Sequence, residues 1–358
     1  MKTSFPKSKI KILLLENIHP VAEHKLQVEG FQVTMVKSAL DEKQLLDVIG
    51  DYHCLGIRSK TRVTAPVLEK ATKLLTVGAF CIGTDQVDGL SANRLGVPLF
   101  NAPYSNTRSV AELVIAEMIS LARQIHDRSQ KCHQGGWDKS ATGSIEVRGK
   151  TLGIVGYGHI GSQLSILAEA LGLKVLYFDV VKKLPLGNAV SVDSLADLLR
   201  VSDFVSLHVP DTSDTRGMMC ADQIGMMKSG AYLINASRGK VVNIEALASA
   251  LKSGALGGAA VDVFPEEPAS NNDVFKSALQ GLKNVILTPH IGGSTEEAQE
   301  NIGKEVADSF IRFINNGSTS GAVNFPQVDL PVQRDVHRVL NVHKNVPGVL
   351  RDINKVVS

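Results

Sequence analysis

The strongest constraint on this chain is the stretch from Leu152 to Asp179, where an apolar run, L-G-I-V, meets G-Y-G-H-I-G from Gly156 to Gly161. A helical run, Ser162 to Leu171, follows, and K-V-L-Y-F then ends at Asp179. Strand, glycine turn, helix, strand and acid stand in the order a dinucleotide site requires. Gly156 permits the tight turn, Gly158 lets the backbone approach a pyrophosphate, and Gly161 lets the helix lie close on the sheet. The helix N-terminus offers free N–H groups and a positive dipole end to the phosphates, which puts His159 and Ile160 among the expected cofactor contacts. Asp179, about twenty residues on, can bond both ribose hydroxyls and repels a 2′-phosphate, so the expected cofactor is NAD. A bare G-x-G-x-x-G reads equally well as a loop; the flanking strands, helix and acid make it specific.

At 358 residues the chain has room for two or three domains, each with its own core. The formal net charge is +2 and no block of like charge stands out, so composition gives no case for nucleic acid or an anionic membrane. Cys54, Cys81, Cys132 and Cys220 are scattered, without C-x-x-C or a histidine at metal spacing. This suits reduced thiols in a cytoplasm better than a disulfide framework or a zinc site. The start, M-K-T-S-F-P-K-S-K-I-K, lacks a signal peptide's apolar core, and no later run approaches a membrane span. The expectation is a cytoplasmic protein with a small-molecule substrate, and with no metal, nucleic acid or membrane partner.

Ahead of the fingerprint, apolar strand-like runs recur at Ile10 to Leu15, Phe31 to Val36, His53 to Ile57, Leu74 to Ala79 and Val97 to Phe100. Helical patterns such as Asp41 to Gly50 and Pro66 to Lys73 fall between them, which predicts a βα-repeated parallel sheet. Lacking a dinucleotide fingerprint, this region is assigned to the substrate. From Ser109 to about Asp127 a helix is predicted whose apolar residues cover most of its circumference, after Asn106 and Thr107 as caps. The loop beyond it holds Trp137, the only tryptophan, read as a core residue unless exposure marks a contact surface. Six strands are then expected at Thr151 to Val155, Lys174 to Phe178, Asp203 to His208, Ala231 to Asn235, Leu256 to Val261 and Asn284 to Thr288. A helix capped at Ser294-Thr295-Glu296-Glu297 runs to about Asn315 and, with Ala322 to Phe325, is expected to return to the first domain. After a linker from Pro326 to Asp335, Val336 to Val342 reads as a strand.

Three segments follow the late strands of the nucleotide region: Asn235-Ala236-Ser237-Arg238-Gly239, Asp262-Val263-Phe264-Pro265-Glu266-Glu267-Pro268 and Thr288-Pro289-His290-Ile291-Gly292-Gly293. Ligands bind at the carboxyl edge of open α/β sheets, so all three should face the nicotinamide, Asp262 included. Oxidising a hydroxy acid removes a hydride from carbon and a proton from oxygen, and the proton needs a base. His290 titrates in the useful range, Glu267 can hold its ring and stabilise the imidazolium, and Arg238 can clamp a carboxylate. Each residue alone has a plain explanation as turn arginine, solvated glutamate or capping histidine. Their joint placement beside a dinucleotide site favours chemistry. Arg58-Ser59-Lys60-Thr61, at a first-domain strand end, is a compact candidate for binding a phosphate.

With G-Y-G-H-I-G, N-A-S-R-G, D-V-F-x-x-E-P and T-P-H-I-G-G in place, the chain resembles the D-isomer-specific 2-hydroxyacid dehydrogenases over nearly its whole length. Its most specific pieces are the run Gly78 to Asp88, Asn101-Ala102-Pro103-Tyr104-Ser105-Asn106-Thr107-Arg108-Ser109 and Gly292-Gly293-Ser294-Thr295. The resemblance implies Arg238, Glu267 and His290 as the catalytic set, Asn106 at the substrate, a two-domain cleft hinged near residues 100 and 290, and a homodimer or homotetramer paired through nucleotide domains. It adds Lys37 and Lys139 to the phosphate cations, Lys139 from a neighbouring subunit. Lys60 stands where such enzymes commonly carry a second arginine, keeping the charge without the bidentate fork. Cys81 resembles a position near the nicotinamide but reads more simply as a small buried residue.

The tail around His343, Asn345, Pro347 and Gly348 resembles the opening of an ACT regulatory domain, with His343 and Asn345 as serine-binding residues. The expected fold class is therefore α/β: a Rossmann nucleotide domain (105–292), a discontinuous flavodoxin-like substrate domain (1–104 and 293–330), both doubly wound parallel sheets, and the truncated start of an ACT-like α+β module (336–358). The expected reaction is NAD-dependent oxidation of D-3-phosphoglycerate to 3-phosphohydroxypyruvate, the first step of serine biosynthesis, without normal serine inhibition. The alternatives are a hydroxypyruvate, glyoxylate or other 2-keto acid reductase, and an NAD-sensing corepressor-like binding protein.

Overall fold

The computed structural model describes residues 5–268, 272–331, 340–343 and 345–358. The chain forms two compact units, Met1–Pro103 with Gln299–Ser358, and Tyr104–Ala298.

The first unit is built on strands β1 (Lys11–Leu14), β2 (Gln32–Met35), β3 (Cys54–Ile57), β4 (Thr76–Ala79) and β5 (Leu99–Phe100), ordered β2-β1-β3-β4-β5 and all parallel. The strand order reverses between β1 and β3, the doubly wound arrangement expected, which leaves a crevice at the carboxyl ends of those two strands. β3 and β4 are buried at every position, as central strands covered on both faces must be, and this is why they read as continuous apolar runs. The helix Glu296–Asn316 packs Ile302, Val306 and Phe310 onto this sheet, with Phe310 edge-on to Phe80 at a centroid distance of 6.3 Å. Ala322 bridges Phe100, and the Asn324 side chain both accepts from the Leu99 N–H and donates to the Val97 carbonyl.

The second unit carries β6 (Thr151–Val155), β7 (Lys174–Phe178), β8 (Val190–Ser191), β9 (Phe204–Leu207), β10 (Tyr232–Asn235), β11 (Gly258–Val261) and β12 (Val285–Leu287). They form one parallel sheet ordered β12-β11-β10-β9-β6-β7-β8. Every pairing is parallel, so all strand carboxyl ends share one edge. The sheet has seven strands where six were expected. The extra one, β8, is two exposed residues at the sheet edge, too short and too polar in setting to leave an alternating pattern.

Two further elements differ from expectation. The helix predicted from Ser109 to Asp127 is two helices, Thr107–Arg123 and Ile125–His133, because Gln124 adopts φ 52° and caps the first in the left-handed region. Neither Gly nor Pro marks this break. Trp137, read as a core residue, is 81% exposed in the loop beyond the second helix. The expected strand Val336–Val342 lies largely outside the described residues, and the described tail ends in the helix Val349–Val357.

Candidate active site

The glycine turn does what its spacing requires. Gly156 has φ 93°, and a Cβ there would lie 2.4 Å from the His208 carbonyl oxygen. A Cβ on Gly161 would lie 2.3 Å from the Gly156 oxygen, so the helix His159–Ala170 approaches its own turn closely. A Cβ on Gly158 would meet nothing within 4 Å, which leaves the backbone open at the helix start. Asp179 Oδ2 accepts from the Tyr157 N–H at 2.8 Å and Oδ1 from the Val181 N–H at 2.9 Å. The acid thus braces the turn while remaining half-buried at the end of β7. His159 stacks obliquely on Tyr104, with ring centroids 4.1 Å apart. An open backbone at a helix N-terminus beside a carboxylate fits a dinucleotide pyrophosphate and ribose.

Next along the same sheet edge, the three turns expected to carry the chemistry are locked to one another. Asn235 Oδ1 accepts from the N–H and the Oγ of Ser237, and its Nδ2 donates to the Arg238 carbonyl at 3.1 Å. Gly239 then lies directly against the Phe264–Pro265 backbone, where a Cβ would come within 2.0 Å of the Phe264 carbonyl carbon. From there Glu267 turns back: Oε1 accepts from the Phe264 N–H at 3.1 Å, and Oε2 lies 2.8 Å from His290 Nδ1. Because a carboxylate only accepts, Nδ1 carries the proton and Nε2 presents its lone pair. His290 holds φ 55°, a conformation uncommon for a residue with a Cβ and one that clusters at functional sites.

The electrostatics follow from that pair. The Glu267 hydrogen bond raises the His290 pKa above its ordinary value; burial opposes this, and the charges of Glu267 and Asp262 reinforce it. For Glu267, burial pulls the pKa upward, but the His290 hydrogen bond and charge, the Phe264 N–H and Arg238 outweigh it and leave the carboxyl lowered. Arg238 is close enough for its charge to act on both partners, while its Nη1 donates to the Ser237 carbonyl at 2.8 Å.

Asp262 was expected at the cofactor. It is 1% exposed, and its carboxylate accepts from Thr288 Oγ1 at 2.6 Å, the Ile291 N–H at 2.8 Å and the Gly292 N–H at 2.9 Å. Its evident work is to pin the loop that carries His290. Glu117, which sequence reasoning missed, stands behind it at 4% exposure, with Oε1 3.5 Å from Thr288 Oγ1. Burial, together with the Asp262 charge, pushes its pKa up to about 8 against the Thr288 hydrogen bond. The available signal was an acid on the buried stripe Val110, Val114, Glu117, Met118, Leu121.

Asn106, expected at the substrate, begins the helix Thr107–Arg123 without capping it; its Oδ1 is buried and has no hydrogen-bond partner among the described residues. Lys139 is exposed beyond the helix Ile125–His133. In the first unit Arg58 is half-buried, Ser59, Lys60 and Lys37 are exposed, and Cys81 is only partly buried, with Sγ 3.1 Å from the Gly83 carbonyl. His343 and Asn345 are exposed in the tail. Among the described residues no helix is long and apolar enough to cross a membrane.

Residues 115–292 match the family described as D-isomer specific 2-hydroxyacid dehydrogenase, NAD binding domain. The chain is 57% identical over 356 residues to a Dictyostelium discoideum protein named D-3-phosphoglycerate dehydrogenase, covering 99% of this chain and 88% of that one. It is 54% identical over 358 residues to the Escherichia coli K12 protein of the same name, covering 100% and 87%. This chain belongs to the D-isomer-specific 2-hydroxyacid dehydrogenase family. Among solved structures it is similar to the Aquifex aeolicus D-lactate dehydrogenase complexed with NAD and lactic acid, at TM-score 0.76 and 27% identity, covering 88% of this chain and all of that one. A Thermus thermophilus protein matches at TM-score 0.80 and 28% identity, with the same coverage. The chain is therefore an NAD-dependent 2-hydroxyacid oxidoreductase with two parallel-sheet α/β units.

Proposed function

We propose that this enzyme oxidises D-3-phosphoglycerate to 3-phosphohydroxypyruvate, the first step of serine biosynthesis, with His290 as the base. The observation that carries the reading is the 2.8 Å contact between Glu267 and His290, on a loop pinned by Asp262, in a chain 54–57% identical to proteins named D-3-phosphoglycerate dehydrogenase.

When bound, NAD would be held by Gly156–Gly161 and Asp179 and would supply the acceptor for the hydride leaving the substrate carbon. His290 Nε2 takes the hydroxyl proton of the substrate, and the imidazolium that forms is stabilised by Glu267 through Nδ1. Arg238 clamps the substrate carboxylate through two parallel N–H groups and polarises the oxygen on which charge develops. In the reverse direction the same imidazolium returns the proton to the keto oxygen. Asn106, with its buried and unpartnered Oδ1, is proposed to contact the substrate. The phosphate is assigned to Arg58, Ser59 and Lys60, with Lys37 and a neighbouring subunit's Lys139 adding charge.

A homodimer or homotetramer is supported by the exposed Trp137, and a cytoplasmic location fits four cysteines that form no disulfide. The tail carrying His343 and Asn345 is assigned to an ACT-like serine-binding module. An NADH absorbance assay with D-3-phosphoglycerate, hydroxypyruvate and glyoxylate tests the reading. Preferred turnover of the phosphorylated substrate supports it. Preference for an unphosphorylated acid makes the chain a general 2-keto acid reductase, and NAD binding without turnover makes it a sensor.

A further inference from the structure

The first unit holds a buried acid that this reaction does not use. Glu16 follows β1, is 8% exposed and adopts φ 63°. Its Oε1 accepts from the Arg58 N–H at 3.1 Å and the Thr61 N–H at 2.8 Å, and its Oε2 from the Lys60 N–H at 2.9 Å. Its own N–H donates to the Ser38 carbonyl at 3.1 Å, and the next N–H, of Asn17, to the Val36 carbonyl at 3.4 Å. One residue therefore ties together the carboxyl ends of β1, β2 and β3 and fixes both segments that carry the expected cations, Lys37 and Arg58–Lys60. The Arg58 carbonyl is held from the other side by Gln86 Nε2 at 2.6 Å.

Two consequences follow from charge and donor count. Backbone N–H groups at a strand-end turn are ready ligands for an anion. Here three of them are occupied by a carboxylate, so an arriving anion meets the side chains of Arg58 and Lys60 instead. The carboxylate is also opposite in sign to the expected cations Lys37, Arg58 and Lys60, which lie on the segments it anchors. The left-handed backbone at Glu16 and at Asn17 (φ 51°) is tolerated because these contacts over-determine it.

We propose that Glu16 is a positioning residue that sets the Arg58–Thr61 turn and the Lys37 segment for a phosphorylated substrate, and so sets the preference for phosphorylated over unphosphorylated 2-keto acids. The proposal rests on the reading of Arg58 and Lys60 as phosphate ligands.

The test compares reduction of 3-phosphohydroxypyruvate and of hydroxypyruvate by NADH, two substrates that differ only in the phosphate. Glu16→Gln turns one acceptor oxygen into an NH₂ group facing backbone donors. It should lower the ratio of kcat/KM values, phosphorylated over unphosphorylated, by about tenfold, as expected for loss of one or more charge-assisted hydrogen bonds, and chiefly through KM for the phosphorylated substrate. Glu16→Asp keeps the charge but shortens the reach, so a loss of about threefold in the same ratio is expected, and it serves should the glutamine variant not fold. Arg58→Ala is run in parallel to test the phosphate site itself. A selective loss in both Arg58→Ala and the Glu16 variants supports the proposal. If Arg58→Ala is selective but the Glu16 variants lower both substrates equally or neither, Glu16 is merely structural and the proposal is overturned while the phosphate site stands. If Arg58→Ala leaves the ratio intact, the phosphate assignment fails and the proposal fails with it.

Discussion

Glu267 Oε2 lies 2.8 Å from His290 Nδ1, and the histidine is held at φ 55° by a loop whose N–H groups at Ile291 and Gly292 end on Asp262. The contact fixes the tautomer, orients the ring and raises the basicity of Nε2. Such a pair is how a histidine serves as base in one direction and acid in the other.

The first prediction concerns that charge. Glu267→Gln preserves a hydrogen-bond acceptor but removes the anion, so the His290 pKa falls from its raised value towards the ordinary one. Oxidation needs the neutral ring, so its acid limb moves to lower pH, while reduction, which needs the imidazolium, weakens near neutrality. The pH profiles of kcat/KM in both directions measure this. An acid limb that does not move shows the limb belongs to another group.

A second prediction follows from Glu117, whose carboxyl is pushed up to about 8 in the fold by burial and by Asp262. The unfolded chain releases this proton near pH 4.5 while the folded chain keeps it, so the native state binds more protons between those values. The contribution is therefore fully present below the unfolded pKa and is lost as pH rises through about 8. At roughly 1.4 kcal/mol per unit, the loss is on the order of a few kcal/mol. Glu117→Gln, shaped like the protonated acid, should flatten this slope and melt higher than wild type at pH 8 to 9. Identical pH dependence of Tm in the two proteins would remove Glu117 from the account.

Asp179 gives a third. Its carboxylate both braces the glycine turn through the Tyr157 N–H and faces the expected ribose. Asp179→Ala should raise KM for NAD about tenfold or more, as expected for losing charge-assisted hydrogen bonds, and should narrow the preference for NAD over NADP. Initial rates with each cofactor decide it; a KM within twofold of wild type makes the acid dispensable.

Much of the fold was legible because two independent patterns agreed. Apolar runs of strand length alternated with helical periodicity, and the glycines of the fingerprint fell between a strand and a helix. β8 was not legible, since two exposed residues make no alternation. The break at Gln124 carried no Gly or Pro, and its left-handed cap is settled by tertiary contacts such as the Ile145 N–H to the Ala122 carbonyl at 2.8 Å.

Within the candidate site, the residues proposed to do chemistry could be picked from their strand ends. The residues that hold them could not. Asp262 was placed correctly on the edge, but the commitment of its oxygens to Thr288, Ile291 and Gly292 depends on a loop some thirty residues later. Glu16 carries no motif in the sequence, and only the fold shows that three amides of a distant turn end on it.

The central claim is that His290 removes the substrate proton on a site that binds NAD independently of it. The most direct measurement is the initial rate of His290→Ala with D-3-phosphoglycerate and NAD, alongside a fluorescence titration with NADH. A fall in kcat of at least about a hundredfold, the usual scale of general base catalysis, with NADH affinity within about threefold of wild type, is the predicted result. Turnover close to wild type would contradict it.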